Sequence, residues 1–190
     1  MNSLVRRADG GHTAAMDPVT LETARLLLRP FAATDADAVL AACQDADIQY
    51  YTPMSSPFRR EDAEKYVAET APQGWATDRD YILGAFRTDN GSLVGSFCLT
   101  EVSQGVYELG YWTAQEQRRQ GYSAEAARAL CGWGFNGLKA HRIEWWAMVG
   151  NAASRALAEK LGFTLEGTLR NRSLVNGCPH DWWVGGLLKP

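Results

Sequence analysis

An α/β domain of three layers, with a mixed, largely antiparallel sheet of about six to seven strands flanked by helices, is predicted by three features of this 190-residue chain. The spacing of apolar residues switches repeatedly between strand-like runs and helical periodicity. Asn90-Gly91 and Asn176-Gly177 each stand between strand-like runs, where Asn-Gly favours a hairpin turn. The composition, 46% hydrophobic and 22% charged, suits a single globular domain with a real core.

The elements follow in order. Residues 1–18 are small, polar and glycine-containing and read as a flexible tail, so the compact domain spans 19–190. Ala24–Phe31 reads as a strand closed by Pro30. A helix follows, with Thr34 as its cap and Val39 and Leu40 on its apolar face. A second helix is expected over Glu61–Thr70, ending near Pro72. The intervening stretch, about 44–60, reads as a polar and aromatic loop suited to specificity. Tyr81–Arg87, Leu93–Glu101 and Val106–Thr113 read as strands, Ser123–Phe135 as a helix and His141–Val149 as a strand. Asn151 caps a short helix, Ala152–Leu161, that stops at Gly162. Phe163–Val175 and His180–Leu188 form the last pair of strands.

Several function classes are disfavoured. A net charge of −3 argues against a nucleic-acid surface, while leaving room for a local basic patch around a phosphate. Cys43, Cys98, Cys131 and Cys178 are scattered, with no C-x-x-C pair, and the three histidines make no spaced ligand set, so no metal is expected. The N-terminal residues lack an apolar run long enough for a signal peptide, and no segment approaches membrane-spanning length; the expected compartment is the cytoplasm.

The segment most loaded with chemistry is 108–130, ELGYWTAQEQRRQGYSAEAARAL. A strand ends, a basic turn follows and a helix opens at Gly121-Tyr122-Ser123, just after Arg118, Arg119 and Gln120. The first amides of a helix lack internal partners and carry the positive end of its dipole, so this arrangement suits a phosphate or pyrophosphate. A plain strand-to-helix turn with solvated arginines is the alternative. Gly132-x-Gly134-x-x-Gly137 spells a dinucleotide fingerprint, but it lies at the end of a predicted helix rather than between a strand and a helix. Close packing and a helix stop at Gly137 explain it better.

Arg118-x-x-Gly121-x-Ser123 resembles the pyrophosphate loop of the GNAT superfamily of N-acetyltransferases, R/Q-x-x-G-x-G/A, with serine at the last small position. Residues 141–169, with their Asn-capped helix and Lys160-Leu161-Gly162-Phe163, are similar to another part of that family. ETARLLLRPF at 22–31 and LVNGCPHDWWVGGLL at 174–188 resemble its RimJ/RimL branch, the ribosomal-protein N-terminal acetyltransferases and their relatives. The resemblance implies acetyl-CoA as co-substrate. It implies contacts to it from the backbone of Trp112 and Thr113, from Arg118, Arg119, Gln120, Gly121, Tyr122 and Ser123, and from Asn151.

An alkyl amine is about one part in a thousand neutral at pH 7, so transfer needs a base for the amine and a proton donor for the departing sulfur. The matching serine of the RimJ/RimL branch implies Ser154 as donor; a bond to backbone in the first helical turn is its structural alternative. A tyrosine used elsewhere in the superfamily is replaced here by Ala158. Glu108 shares a strand face with Gly110 and Trp112 and is the candidate base, with Glu101 as second choice and a solvated carboxylate as the bland reading. Ser173 stands where RimL-like enzymes carry a further glutamate, and Asp181 matches a recurrent aspartate read as structural. In the adjacent tryptophan pairs 145–146 and 182–183, one ring of each pair should be core and the other should line a pocket or an interface.

The leading reading is acetyl transfer to a primary amine. A protein N-terminus and a small molecule such as an antibiotic, a polyamine or an amino acid compete as acceptor. A longer donor such as succinyl-CoA, and a non-catalytic acyl-CoA-binding module, are the alternatives. Either a monomer or a homodimer is compatible with the sequence.

Overall fold

The protein is described by a computed structural model over residues 16–175 and 177–189. The expected tail therefore lies mostly outside the described residues, as does Asn176 of the second expected hairpin turn. Within the described residues the main-chain N–H of Met16 donates to Asp78 Oδ1, and Val19 already packs on the core.

Among the described residues eight strands form one sheet: β1 (Leu21–Glu22), β2 (Leu26–Arg29), β3 (Asp80–Arg87), β4 (Leu93–Ser103), β5 (Val106–Thr113), β6 (Arg142–Met148), β7 (Thr164–Val175) and β8 (Cys178–Leu188). Their order is β1-β2-β3-β4-β5-β6-β8-β7. Every neighbouring pair is antiparallel except β5 and β6. The count exceeds the expected six to seven because a short strand, β1, precedes the first expected one. Thr23 receives the Leu26 amide on its hydroxyl and turns the chain back, pairing Leu21 with Leu28.

Helices α5 (Tyr122–Asn136) and α6 (Ala152–Leu161) cover one face. Between them and the sheet lie Leu28, Leu83, Phe97, Leu99, Leu130, Ile143 and Trp145, all essentially without solvent contact. Each such side chain contributes about 1.5–3 kcal/mol when removed from water. The opposite face carries α1 (Ala36–Ala42), α2 (Ala46–Tyr51), α3 (Arg60–Lys65) and α4 (Ala71–Ala76), packed through Val39, Ile48, Phe58, Val67 and Trp112.

Three local expectations change on this face. The turn before α1 is held by Asp35, not by Thr34: its carboxylate accepts the Ala32 amide at 2.7 Å and pairs with Arg29 at 2.7 Å. The stretch expected as loop contains α2, capped by Asp45, whose carboxylate accepts the Ile48 amide at 3.0 Å. Six residues are too few for periodicity to reveal a helix. Pro72 does not end the second expected helix, because a wide π turn over Tyr66–Thr70 precedes it, and the chain continues as α4. A π turn displaces the carbonyls with which a proline ring would otherwise clash.

The glycine-rich stretch lies within and just after α5, as its context implied. A Cβ on Gly134 would stand 2.6 Å from Leu99 Cδ1 and 3.3 Å from Ile143 Cδ1, so that glycine lets the helix approach the sheet. A Cβ on Gly132 would meet nothing within 4 Å. We expect Gly132→Ala to stabilise the fold by about 1 kcal/mol through helix propensity. Gly134→Ala should give no gain, because overpacking typically costs about 1–3 kcal/mol. Denaturant midpoints of the two variants test this; equal stabilisation would refute the close-packing role.

Candidate active site

Strands β5 and β6 pair over only three positions, Val106↔Arg142, Tyr107↔Ile143 and Glu108↔Glu144. Beyond Glu108, β5 stays bonded to β4 as far as Thr113, and β6 stays bonded to β8 as far as Met148. The two strands thus diverge in the middle of the sheet. The edges that face this gap carry backbone N–H and C=O groups with no strand partner, which a chain of amides can use.

At one lip, β5 leads through a 3-10 turn, Gln115–Gln117, into α5. Arg119 and Gly121 are left-handed, with φ of 63° and 83°. No side chain caps the helix, so its first amides are open to an anion. A Cβ on Gly121 would have as its nearest neighbour an Arg25 guanidinium nitrogen, at 3.5 Å. Arg25 also donates to the Gln120 carbonyl at 3.2 Å and to the Glu125 carboxylate at 2.7 Å, and it lies 4.5 Å above the Tyr122 ring. Ser123 is held to the end of β5 by a 2.9 Å contact between its hydroxyl and that of Thr113.

Arg118 departs from its expected role as a cation aimed at the mouth. Its Nε donates to the Thr113 carbonyl at 3.1 Å and its guanidinium pairs with Asp45 at 2.9 Å. Burial alone would raise the Asp45 carboxyl, but the Arg118 guanidinium and the Ile48 amide outweigh it and hold the group below the usual carboxylate range. Arg118 therefore fastens α2 to the loop, while Arg119 and Gln120 are exposed beside the mouth. Trp112 buries its ring among the helices of the α1–α4 face, leaving its backbone at the gap.

At the other lip stands α6. Asn151 Oδ1 accepts the Ser154 amide at 3.1 Å, the expected cap. Ser154 Oγ accepts the Trp145 indole N–H at 2.9 Å and lies 2.8 Å from the Tyr111 hydroxyl, with either oxygen of that pair able to donate. Tyr111 and Trp145 share the face covered by α5 and α6. Burial raises the Tyr111 hydroxyl to about 12, against the opposing hydrogen bond with Ser154, so it is protonated near neutrality.

Glu108 stands on the opposite face, at the point where pairing ends. Burial pushes its carboxyl up, the Glu144 carboxylate on the neighbouring strand adds to this, and Arg172 opposes it. Glu144 is itself satisfied by Arg142 at 2.9 Å and by the Trp146 indole at 3.0 Å. Trp146 lies under the Arg172 guanidinium, 5.3 Å away. Glu101 cannot share this position: it alternates with Leu99 and lies exposed on the α5 side, beside Tyr81 and Tyr107. Ser173 accepts the Trp182 indole at 2.8 Å, and Asp181 receives the Asn171 amide at a break in the β7 register, a structural role. Trp145 and Trp183 take the core positions of their pairs.

The arrangement sets a proton-holding hydroxyl on one face of the sheet and a carboxyl with raised affinity for protons on the other, with the gap between them and an anion-ready helix mouth at its edge. Arg25 and Tyr111 escaped the sequence reading. Arg25 is remote in sequence from the loop it reaches. Tyr111 alternates with Leu109 and so reads as core. Among the described residues there is no cluster of three or more His, Cys, Asp or Glu able to hold a metal ion, and no helix long and apolar enough to cross a membrane.

Comparison with known proteins finds relatives in both sequence and structure. The acetyltransferase (GNAT) domain profile matches residues 25–164. The uncharacterized N-acetyltransferase YoaA of Bacillus subtilis is 30% identical over 172 residues, covering 90% of this chain and 97% of that protein. A GNAT-family acetyltransferase from Bacillus anthracis superposes with a TM-score of 0.78 at 25% identity, covering 90% of this chain and 98% of the other. RimL, a ribosomal L7/L12 α-N-protein acetyltransferase solved with coenzyme A, shares the fold with a TM-score of 0.80 at 20% identity, covering 90% and 98%.

A raised Glu108 carboxyl has a consequence for stability. The folded state favours its protonated form, so its contribution is fully present below the ordinary glutamate range and is lost as pH rises through the raised value. Glu108→Gln should therefore gain stability relative to the parent as pH rises through that window, with the difference vanishing in acid. Melting temperatures measured across pH check this; a pH-independent difference would contradict it.

Proposed function

The chain belongs to the GNAT acetyltransferase family and is an acyl-CoA-dependent N-acyltransferase, and on that premise we propose that it transfers an acetyl group from acetyl-CoA to a primary amine by direct attack in a ternary complex. The observation that carries this reading is the break in β5–β6 pairing, with Ser154 and Glu108 on opposite faces of the sheet beside it. A donor and an acceptor that approach from opposite faces meet only where the sheet opens.

The residues present fit the co-substrate. The uncapped amides of α5 at Tyr122 and Ser123, entered through left-handed Gly121, suit a pyrophosphate, and the missing side chain at Gly121 leaves the backbone approachable beside the Arg25 guanidinium. Arg25 and Arg119 supply positive charge beside it. The free edge of β5 at Trp112 and Thr113 suits the amides of a pantetheine arm, and Asn151 holds the start of α6 in place. When bound, acetyl-CoA supplies the acyl group and a thiolate leaving group.

Ser154 carries a hydrogen at the lip where that sulfur would depart, and we assign it the protonation of the thiolate. Glu108 takes a proton from the amine, directly or through water; its raised affinity for protons brings it closer to neutral pH, where a base works best. The acceptor side carries Glu108, Glu144 and Trp146 on one face of the sheet, with the Arg172 guanidinium over the Trp146 ring. This surface supports a primary amine on a peptide or a small molecule equally.

Calorimetry with acetyl-CoA and with NAD is the first test: binding in the micromolar range is expected for acetyl-CoA only, and NAD binding of equal strength would sink the assignment. Gly121→Glu should abolish acetyl-CoA binding by filling the helix mouth and repelling the anion. Parent-like affinity would remove the loop from the site.

Ser154→Ala should reduce turnover by about a hundredfold or more while changing acetyl-CoA affinity little, because the proposed interaction exists chiefly in the transition state. Parent-like turnover with a lowered melting temperature would assign Ser154 to structure. The pH–rate profile should rise through a pKa above the ordinary glutamate range, and Glu108→Gln should remove that limb.

A further inference from the structure

Two side chains, from two strands, converge on the hydroxyl oxygen of Ser154 in α6. Trp145 of β6 donates to Ser154 Oγ at 2.9 Å, and Tyr111 of β5 lies 2.8 Å from the same atom and 3.2 Å from the Ser154 carbonyl. The Tyr111 ring is stacked on Phe97, with centroids 6.0 Å apart and planes 19° apart, so its hydroxyl is held in place.

Counting hydrogens narrows what this cluster can do. The indole nitrogen only donates, so one lone pair of Oγ is permanently occupied. Tyr111 has one hydrogen and two acceptors within reach. If that hydrogen points to the Ser154 carbonyl, the 2.8 Å contact must be made by the Ser154 hydrogen, which is then committed to Tyr111. If it points to Oγ, the serine accepts two hydrogen bonds and its own hydrogen is free. The two settings differ only by rotation of two O–H bonds, with no heavy atom moving.

We propose that Tyr111 is a positioning residue for acyl transfer, which with Trp145 frees the Ser154 proton for the departing sulfur and replaces it as it leaves. This rests on the reading of Ser154 as the proton donor. As the carbon–sulfur bond breaks, its electron pair stays on sulfur, which takes the Ser154 hydrogen. Oγ takes the Tyr111 hydrogen in turn, and the Trp145 N–H steadies the charge passing through that oxygen. Tyr111 regains a proton from solvent, and the proton lost by the amine leaves through Glu108, so the exchange balances. The Tyr111 hydroxyl, protonated near neutrality, has a proton to give, and an isolated serine has no such reserve.

A mutant cycle of parent, Tyr111→Phe, Ser154→Ala and the double variant tests this. Release of CoA thiol from acetyl-CoA is read with spermidine, with a peptide bearing a free N-terminus, and with water alone as acceptor, so that every protein yields a rate. Tyr111→Phe should lower kcat by about ten- to a hundredfold and shift the acetyl-CoA KM by no more than about twofold. In the Ser154→Ala background the same substitution should change kcat by less than about twofold, because the residue it acts through is gone. An equal loss in both backgrounds would make Tyr111 merely structural and overturn the proposal, even if Tyr111→Phe also lowers the melting temperature. Slow Ser154→Ala with parent-like Tyr111→Phe overturns this proposal alone. Parent-like Ser154→Ala overturns the donor reading and the proposal together.

Discussion

The candidate site depends on two central strands that stop pairing. β5 and β6 run parallel for three residue pairs and then separate, each still bound to its outer neighbour. A sheet ordinarily divides the molecule into two sides that cannot communicate, because its backbone groups are consumed in the ladder. Here the ladder opens after Glu108 and Glu144, and the two halves of the sheet are bridged instead by side chains. Tyr111 from one half reaches Ser154 and its carbonyl on the other, and Trp145 closes on the same oxygen from below. Thr113 and Ser123 tie the far end of β5 to the start of α5. The gap is thus a built feature with fixed edges.

That opening lets opposite chemistry stand on opposite faces. The hydroxyl cluster sits against α5 and α6 in a well-packed environment that keeps Tyr111 protonated. The carboxyl at Glu108 sits on the other side, where burial and the neighbouring Glu144 make it reluctant to ionise. Asp45 caps α2 and at the same time holds Arg118 of the loop, so that helix is fastened to the segment beside the helix mouth. The cation left nearest the mouth is Arg25, supplied by the chain leading into β2 and oriented by Glu125 and the Tyr122 ring.

Rigid surroundings hold these groups in place. Phe97, Leu99, Ile143 and Leu130 are fully buried around the base of the gap, and the missing side chain at Gly134 lets α5 settle directly on the sheet. Functional side chains carried on strands and on a capped helix keep their positions better than side chains on loops. α2, six residues long, is on the face of the sheet that carries Trp112.

The sequence by itself determined the order of the strands and α-helices from β3 onward, the hairpin at Asn90-Gly91, the Asn151 cap and the glycine-opened start of α5. Each of these is written in residues adjacent along the chain: a turn dipeptide, an Asx side chain three residues before the amide it caps, a glycine where φ is positive. It also identified Ser154 and Glu108 as candidates, and strand alternation put Glu108 on a face with Gly110 and Trp112. Tertiary structure decided the rest, because it depends on contacts between distant residues. Arg118 was taken from the helix mouth by Asp45, 73 residues away, and Arg25 was brought to it across 95 residues. Glu101 was removed from contention by falling on the other face of the sheet. Tyr111, indistinguishable from core in the alternation of its strand, became a partner of Ser154 only because β5 and β6 part beside it. No local pattern encodes where two strands stop pairing, since that is set by the helices packed on either side of them.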